Sequence, residues 1–317
     1  MARSLKNYLL IAAKGLAMGA ADVVPGVSGG TIAFITGIYE ELIDSINQVN
    51  LASLKVLQKD GIAAFWTHVN GWFLLSLLSG IGISIASLAK LITHLLENYP
   101  THIWSFFFGL VFASIFFVGK QVKKWNVGTA LMFVLGAAIA YYITILPASQ
   151  SNDAYWYIFL SGMIAICAMI LPGISGSFIL LLMGAYETVL NAIHERNIVI
   201  IAVFGSGAIV GLLSFARLLK FMFHKYHDLT IAVLSGFLLG SLNKIWPWKE
   251  TLSTFIKHVG EPNEKVVPLE QVSVLPGTFE ELTGEPSHLM MALLLAIVGA
   301  GLIALMEFAG AKNTADS

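Results

Sequence analysis

The chain has 317 residues, 57% of them hydrophobic and 12% charged, against about 25% charged in an ordinary soluble domain. That balance excludes a water-exposed globular surface, and a net charge of −1 offers no basic field for nucleic acid. A single cysteine, Cys167, excludes an intrachain disulfide and any cysteine-built metal site, so the composition is that of an integral membrane protein.

In chain order, an apolar stretch over 7–21 runs into a Pro-Gly turn and then a second apolar stretch over 31–46. Runs long enough to cross about 30 Å of hydrocarbon follow at 72–96, 102–119 and 127–147. A second Pro-Gly pair of stretches covers 155–171 and 178–193, followed by runs at 199–221, 229–245 and 289–309. No period-2 alternation of barrel type is present, so the expected class is all-α. Lys14 interrupts the first apolar stretch, which therefore reads as part of the fold and not as a cleaved leader.

Lysine and arginine set the expected orientation. If each Pro-Gly turn is the tip of a hairpin that leaves on the side it entered, one side receives Arg3, Lys6, Lys55, Lys59, Lys120, Lys123, Lys124, Lys220, Lys225 and Lys312. Short loops on the other side, 97–101, 148–154 and 194–198, hold only Arg196. Both termini are therefore expected in the cytoplasm of a bacterial inner-membrane protein, with 246–287 as a long external loop opened by Trp246 and Trp248.

The chain resembles itself. Val23-Val24-Pro25-Gly26-Val27-Ser28-Gly29-Gly30 is echoed by Ile170-Leu171-Pro172-Gly173-Ile174-Ser175-Gly176-Ser177, and Gly37-Ile38-Tyr39-Glu40 by Gly184-Ala185-Tyr186-Glu187. Farther on, Ser79-Gly80, Lys90, Tyr99, Gly109 and Ser114 match Ser206-Gly207, Arg217, Tyr226, Gly236 and Ser241, with about 20 extra residues near 48–71 accounting for the changed offset. The expected organisation is a first repeat over 1–147 and a second over 155–309, each a Pro-Gly re-entrant hairpin (7–46 and 155–193) plus three transmembrane helices. Three is odd, so the second copy is inverted. Inverted repeats with broken helices characterise secondary transporters, whose sites lie at the midplane.

Backbone freed by a turn inside a membrane costs several kcal/mol per group unless protein, water or ligand satisfies it. Ser28, Gly29, Gly30 and Thr31, with Ser175, Gly176 and Ser177, are the candidate anion-binding residues, because hydroxyls and close-approach glycines suit an oxygen-rich ligand. Lys90 and Arg217 occupy matched positions near opposite faces and can each receive a phosphate headgroup from one leaflet; snorkelling to the interface is the alternative use of both. Glu40, Glu187 and Asp22 are candidates for proton coupling. Lys14 and Asp22 lie eight residues apart in the first repeat only, which suggests either a local ion pair or a role not shared by the second repeat. His224 and His227 read as a solvated pair, no metal site or cofactor is expected, and no nucleotide-binding P-loop occurs.

At Lys14-Gly15, Asp22 to Thr31, Gly37 to Glu40 and Leu171 to Ser177, the chain resembles the bacterial and archaeal membrane proteins described as polyprenyl-phosphate transporters. The resemblance implies a flippase that carries undecaprenyl phosphate from the outer to the inner leaflet and recycles the lipid carrier for cell-wall synthesis. The residues alone reach an inverted-repeat anion transporter. They leave open a polyprenyl-pyrophosphate phosphatase-like membrane enzyme, and a small-anion channel or symporter.

Overall fold

The structure, a computed structural model, describes residues 3–24, 26–257 and 265–315, with side chains outside 255–270 and 308–315. Pro25 of the first turn therefore lies outside the described residues. Helices α1 (Leu5–Val23), α2 (Gly29–Ile35) and α3 (Tyr39–Gln48) form the first Pro-Gly segment. Next come α4 (Leu51–His68), α5 (Gly71–Asn98), α6 (Pro100–Gly119) and α7 (Val127–Ile145). The second Pro-Gly segment is α8 (Tyr155–Ile170), α9 (Gly176–Leu182) and α10 (Tyr186–His194), followed by α11 (Ile198–Ser241), α12 (Pro276–Thr283) and α13 (Leu289–Ala315).

Among the described residues, five helices are long and apolar enough to cross a membrane: α5, α6, α7, α11 and α13 up to Glu307. Counting α9 and α10, bent by 110° at their junction, as one broken span makes six. The chain is thus a mostly helical, multi-pass membrane protein. Asparagines start several of these helices by accepting backbone N–H groups that the helix itself cannot satisfy: Asn50 caps α4, Asn126 caps α7 and Asn197 caps α11. Several serines inside the spans donate back to the carbonyl four residues earlier, as Ser105 does to Thr101 and Ser235 to Ile231, which satisfies these buried hydroxyls within their own helix.

The 44 residues of α11 are two arms. Tyr226 breaks the helix with φ −134° and ψ 46°, and the matched Tyr99, which separates α5 from α6, has φ −137° and ψ 50°. The same duplication holds at the turns, where Gly26 and Gly173 share a φ of 86°. The roughly 20 residues that distinguish the first half are α4, itself kinked at Gly61.

Glycines set the helix crossings. A side chain at Gly80 of α5 would overlap the Ala12 carbonyl of α1, and one at the matched Gly207 of α11 would overlap Phe159 of α8. Gly109 meets Ala296 of α13, and its counterpart Gly236 meets Phe133 of α7. Without a hydrophobic effect between helices in lipid, close backbone approach of this kind supplies the packing energy. The last helix of each half therefore packs on a helix of the other half. Between them lies the core, where all of α2 is buried among residues that include Phe73, Leu77, Leu110, Ile231 and Leu238. The outer faces of α5, α7 and α13 expose Leu78, Ile83, Leu131, Val134, Met290 and Ile297 to the surroundings, as lipid contact requires.

One element departs from an all-α reading. Within the 246–287 loop, β1 (Lys249–Lys257) and β2 (Lys265–Ser273) pair antiparallel, with a register shift around Ser253. Trp246 and Trp248 anchor this sheet by donating their indole N–H groups to the Val274 and Ser287 carbonyls.

Candidate functional site

The first turn follows α1, whose end Val24 is extended. Gly26 adopts positive φ, and a Cβ there would stand 2.7 Å from Lys244 Cγ. The Asp22 carboxylate accepts the Gly29 N–H at 2.6 Å, and Ser28 Oγ accepts the Gly30 N–H at 3.0 Å. Ser28 in turn donates to the Met169 carbonyl at 2.9 Å, and Thr31 Oγ1 accepts the Gly173 N–H at 2.9 Å. Any side chain at Gly30 would strike the Ile170 carbonyl. Residues 141 and 142 positions apart in sequence are thereby locked together, and the two turns touch.

The second turn is less occupied. Gly173 has the same backbone as Gly26, with Ser241 against its α-carbon. Ser175 precedes α9 without capping it, and its hydroxyl lies 2.8 Å from that of Ser177. Among the described residues the two hydroxyls have no other partner. This asymmetry has a physical origin: the first turn uses its donors and acceptors on Asp22 and on the second turn, which has no acid at the position matching Asp22 (Met169).

Two cations that the sequence reading passed over stand beside these turns. Lys244, just past the end of α11, lays its stem against Gly26 and its ammonium 4.2 Å from the centre of the Phe178 ring in α9. Lys249, in β1, donates to the Lys244 carbonyl at 2.6 Å and sits 3.9 Å from the Trp104 ring centre of α6. Among the described residues neither pairs with a carboxylate. Burial, and then the nearby Lys244, hold the Lys249 ammonium well below the usual lysine range. A cavity of about 350 Å³ opens beside Lys244, lined by Tyr141, Thr144, Phe178, Asn243 and Ser273 among others. In the sequence, Lys244 and Lys249 bracket Ile245-Trp246-Pro247-Trp248 and resemble interfacial anchors. Only their spacing around two tryptophans hinted at more.

The other predicted residues lie elsewhere. Lys90 is exposed on α5 and Arg217 on α11, without an ion-pair partner among the described residues and outside the cavity beside the turns. Glu40, 57% exposed, faces His227 at 3.4 Å. Glu187 is exposed on α10 beside a second cavity of about 350 Å³. Lys14 and Asp22 form no ion pair, since Lys14 donates to the Thr36 carbonyl at 2.7 Å while Asp22 binds the first turn. No group of His, Cys, Asp and Glu among the described residues is arranged to hold a metal ion.

Known proteins resemble this chain over most of its length. The chain is 48% identical over 307 residues to the polyprenyl-phosphate transporter of Vibrio cholerae serotype O1 (strain ATCC 39315 / El Tor Inaba N16961), covering 97% of this chain and 98% of that one. It is 31% identical over 252 residues to the polyprenyl-phosphate transporter of Staphylococcus aureus (strain NCTC 8325 / PS 47), covering 74% and 84% of the two chains. Both relatives are named as transporters and not as enzymes. No solved structure matches. The model of the VCA0040-like family, described as undecaprenyl phosphate translocase-like, matches residues 18–263, and the chain belongs to that family.

Proposed function

We propose that this chain is a flippase that moves undecaprenyl phosphate from the outer to the inner leaflet of the bacterial cytoplasmic membrane, returning the lipid carrier for reuse. The contact between the two Pro-Gly turns carries the reading: Gly173 donates to Thr31 and Ser28 to Met169, so both breaks in the helical backbone meet at one point. Irregular backbone in a membrane protein is tolerated where it is buried in protein or lines a site. The named relatives support the lipid.

In this reading the two halves, 1–147 and 155–309, are inverted copies, and each Pro-Gly segment re-enters on its own side. Two contacts support re-entry. Tyr157, at the start of α8, donates to the Met183 carbonyl just past α9 at 2.6 Å, and Arg3, before α1, grips Glu41 of α3 at 2.6 and 2.8 Å. Lys220 also reaches α3, at Asp44, and the Lys124 backbone reaches Asp228. Basic segments thus gather at one end, which supports cytoplasmic termini.

The phosphate binds at the turns, with Ser175 and Ser177 as donors, while the prenyl tail stays in lipid. Lys90 gathers the headgroup at the outer face and Arg217 receives it at the inner face. Asp22, the acid bonded to the turn itself, carries the coupling proton, with Glu40 and Glu187 as relays at the two ends. A leaflet-resolved assay of undecaprenyl phosphate in cells tests the residues. Ser175→Ala and Arg217→Ala, made at normal levels, are expected to slow clearance of the outer-leaflet lipid at least ten-fold. Wild-type rates in both would remove the site assignment.

A further inference from the structure

Lys244 bridges the first turn and the helix that follows the second: its Cγ lies against Gly26, and its ammonium lies over Phe178, the third residue of α9. Its neighbour Lys249 is bound to it through the Lys244 carbonyl. An ammonium has three donors and no acceptor. Aromatic faces attract such a charge but accept no strong hydrogen bond. Among the described residues Lys244 has no hydrogen-bond acceptor for its ammonium, and Lys249 has a single carbonyl. Two amines held together without a carboxylate, in partly buried surroundings, are costly to keep protonated in the empty protein. An anion relieves that cost directly.

The surroundings suit a particular anion. Ser175 and Ser177, adjacent to Phe178, bond only to each other and can turn outward as donors. The cavity beside Lys244 carries Thr144, Asn243 and Ser273, and its wall continues onto Tyr141, Ile145 and Leu182. A compact oxyanion in this cavity meets the Lys244 ammonium, with Lys249 bonded to the Lys244 backbone beside it, while an attached hydrocarbon follows the apolar wall.

We propose that Lys244 and Lys249 form a seat for a phosphate monoester, reached through the cavity between α7, α9 and the β1–β2 sheet, and that this seat is the binding station next to the two turns. The assignment rests on the polyprenyl-phosphate reading above. The same chemistry serves a lipid headgroup or free inorganic phosphate, and the sheet that carries Lys249 becomes part of the binding machinery.

Equilibrium binding to the purified full-length protein in lipid nanodiscs tests it, with labelled undecaprenyl phosphate as probe and undecaprenol and inorganic phosphate as competitors. Lys244→Gln and Lys249→Gln are each expected to weaken undecaprenyl phosphate binding at least ten-fold, and Lys244→Arg to stay within about three-fold of wild type. Competition by inorganic phosphate identifies a seat that reads phosphate alone; its absence, with the loss in both Gln variants, identifies one that reads the lipid headgroup. Should Lys244→Gln fail to fold, Lys249→Gln and Lys244→Arg decide. Wild-type binding in the Gln variants overturns the seat and leaves the transporter reading standing. A wild-type protein that binds inorganic phosphate through Lys244, but no undecaprenyl phosphate, keeps the seat and overturns the lipid reading. Equal competition by undecaprenol shows that the phosphate is not recognised and overturns the seat.

Discussion

Gly173 and Gly37 both hold positive φ, 86° and 70°, yet their surroundings differ. At Gly173 a Cβ would stand 2.7 Å from Ser241 Oγ, whereas at Gly37 it would meet nothing within 4 Å. Left-handed backbone costs a non-glycine residue about 1–2 kcal/mol, and forced contact in a packed site costs about 1–3 kcal/mol more. Gly173→Ala is therefore expected to lower stability by roughly 2–5 kcal/mol and Gly37→Ala by about 1–2 kcal/mol, read from denaturant or thermal unfolding of the purified protein. Equal losses would contradict the packing at the second turn. The residues of the turns were legible in the sequence because Pro-Gly-x-Ser-Gly occurs twice and lipid tolerates few such breaks. The use of each serine was not. Ser28 is committed to Met169 while Ser175 is not, a difference made by Asp22 and by contacts 141 residues apart. Lys244 and Lys249 escaped notice for a related reason: a lysine next to tryptophans at a span's end looks the same in sequence whether it faces headgroups or two buried turns.

Helices in this fold are joined by matched glycines. Gly207 sits against the Phe159 backbone where α11 crosses α8, while Gly205, two residues earlier, has open space. Gly207→Leu is expected to cost about 2 kcal/mol or more and to reduce the yield of folded protein. Gly205→Leu should unfold at nearly the wild-type temperature. Loss in Gly205→Leu equal to that in Gly207→Leu would mean that the crossing is not where the structure has it. The spans themselves were readable from apolar run length, whereas the extra residues near 48–71 showed an insertion but not the helix α4 that they form. The break at Tyr226 was readable in the gap between the apolar runs 199–221 and 229–245 and through its match with Tyr99, although no proline follows it as Pro100 follows Tyr99. The β1–β2 sheet was not readable: Lys249 to Lys257 alternates imperfectly, and the carbonyls that anchor Trp246 and Trp248, those of Val274 and Ser287, lie outside any local window.

At the scale of the whole molecule, the two halves are not independent bodies. α7 packs on α11 and α13 on α6, so each half closes over the other, and the two turns meet inside. The order of elements was legible because the repeat preserved glycine, tyrosine and proline positions across both copies. The interlocking was not, because lipid-facing and partner-facing sides of an apolar helix read alike in sequence. The proposed transport cycle would use this arrangement as two gates around one site, with movement of one half against the other opening the turns first to one leaflet and then to the other. Asp22 is bonded to the backbone of the first turn, and the proposed proton coupling would run through it. The most direct test reconstitutes the purified wild-type protein in liposomes with undecaprenyl phosphate and follows the lipid in each leaflet, with and without an imposed pH gradient. Leaflet exchange at least ten-fold faster than in protein-free liposomes, and biased by the gradient, is the predicted result. Exchange no faster than in protein-free liposomes would contradict the transport reading, and fast exchange indifferent to the gradient would contradict proton coupling.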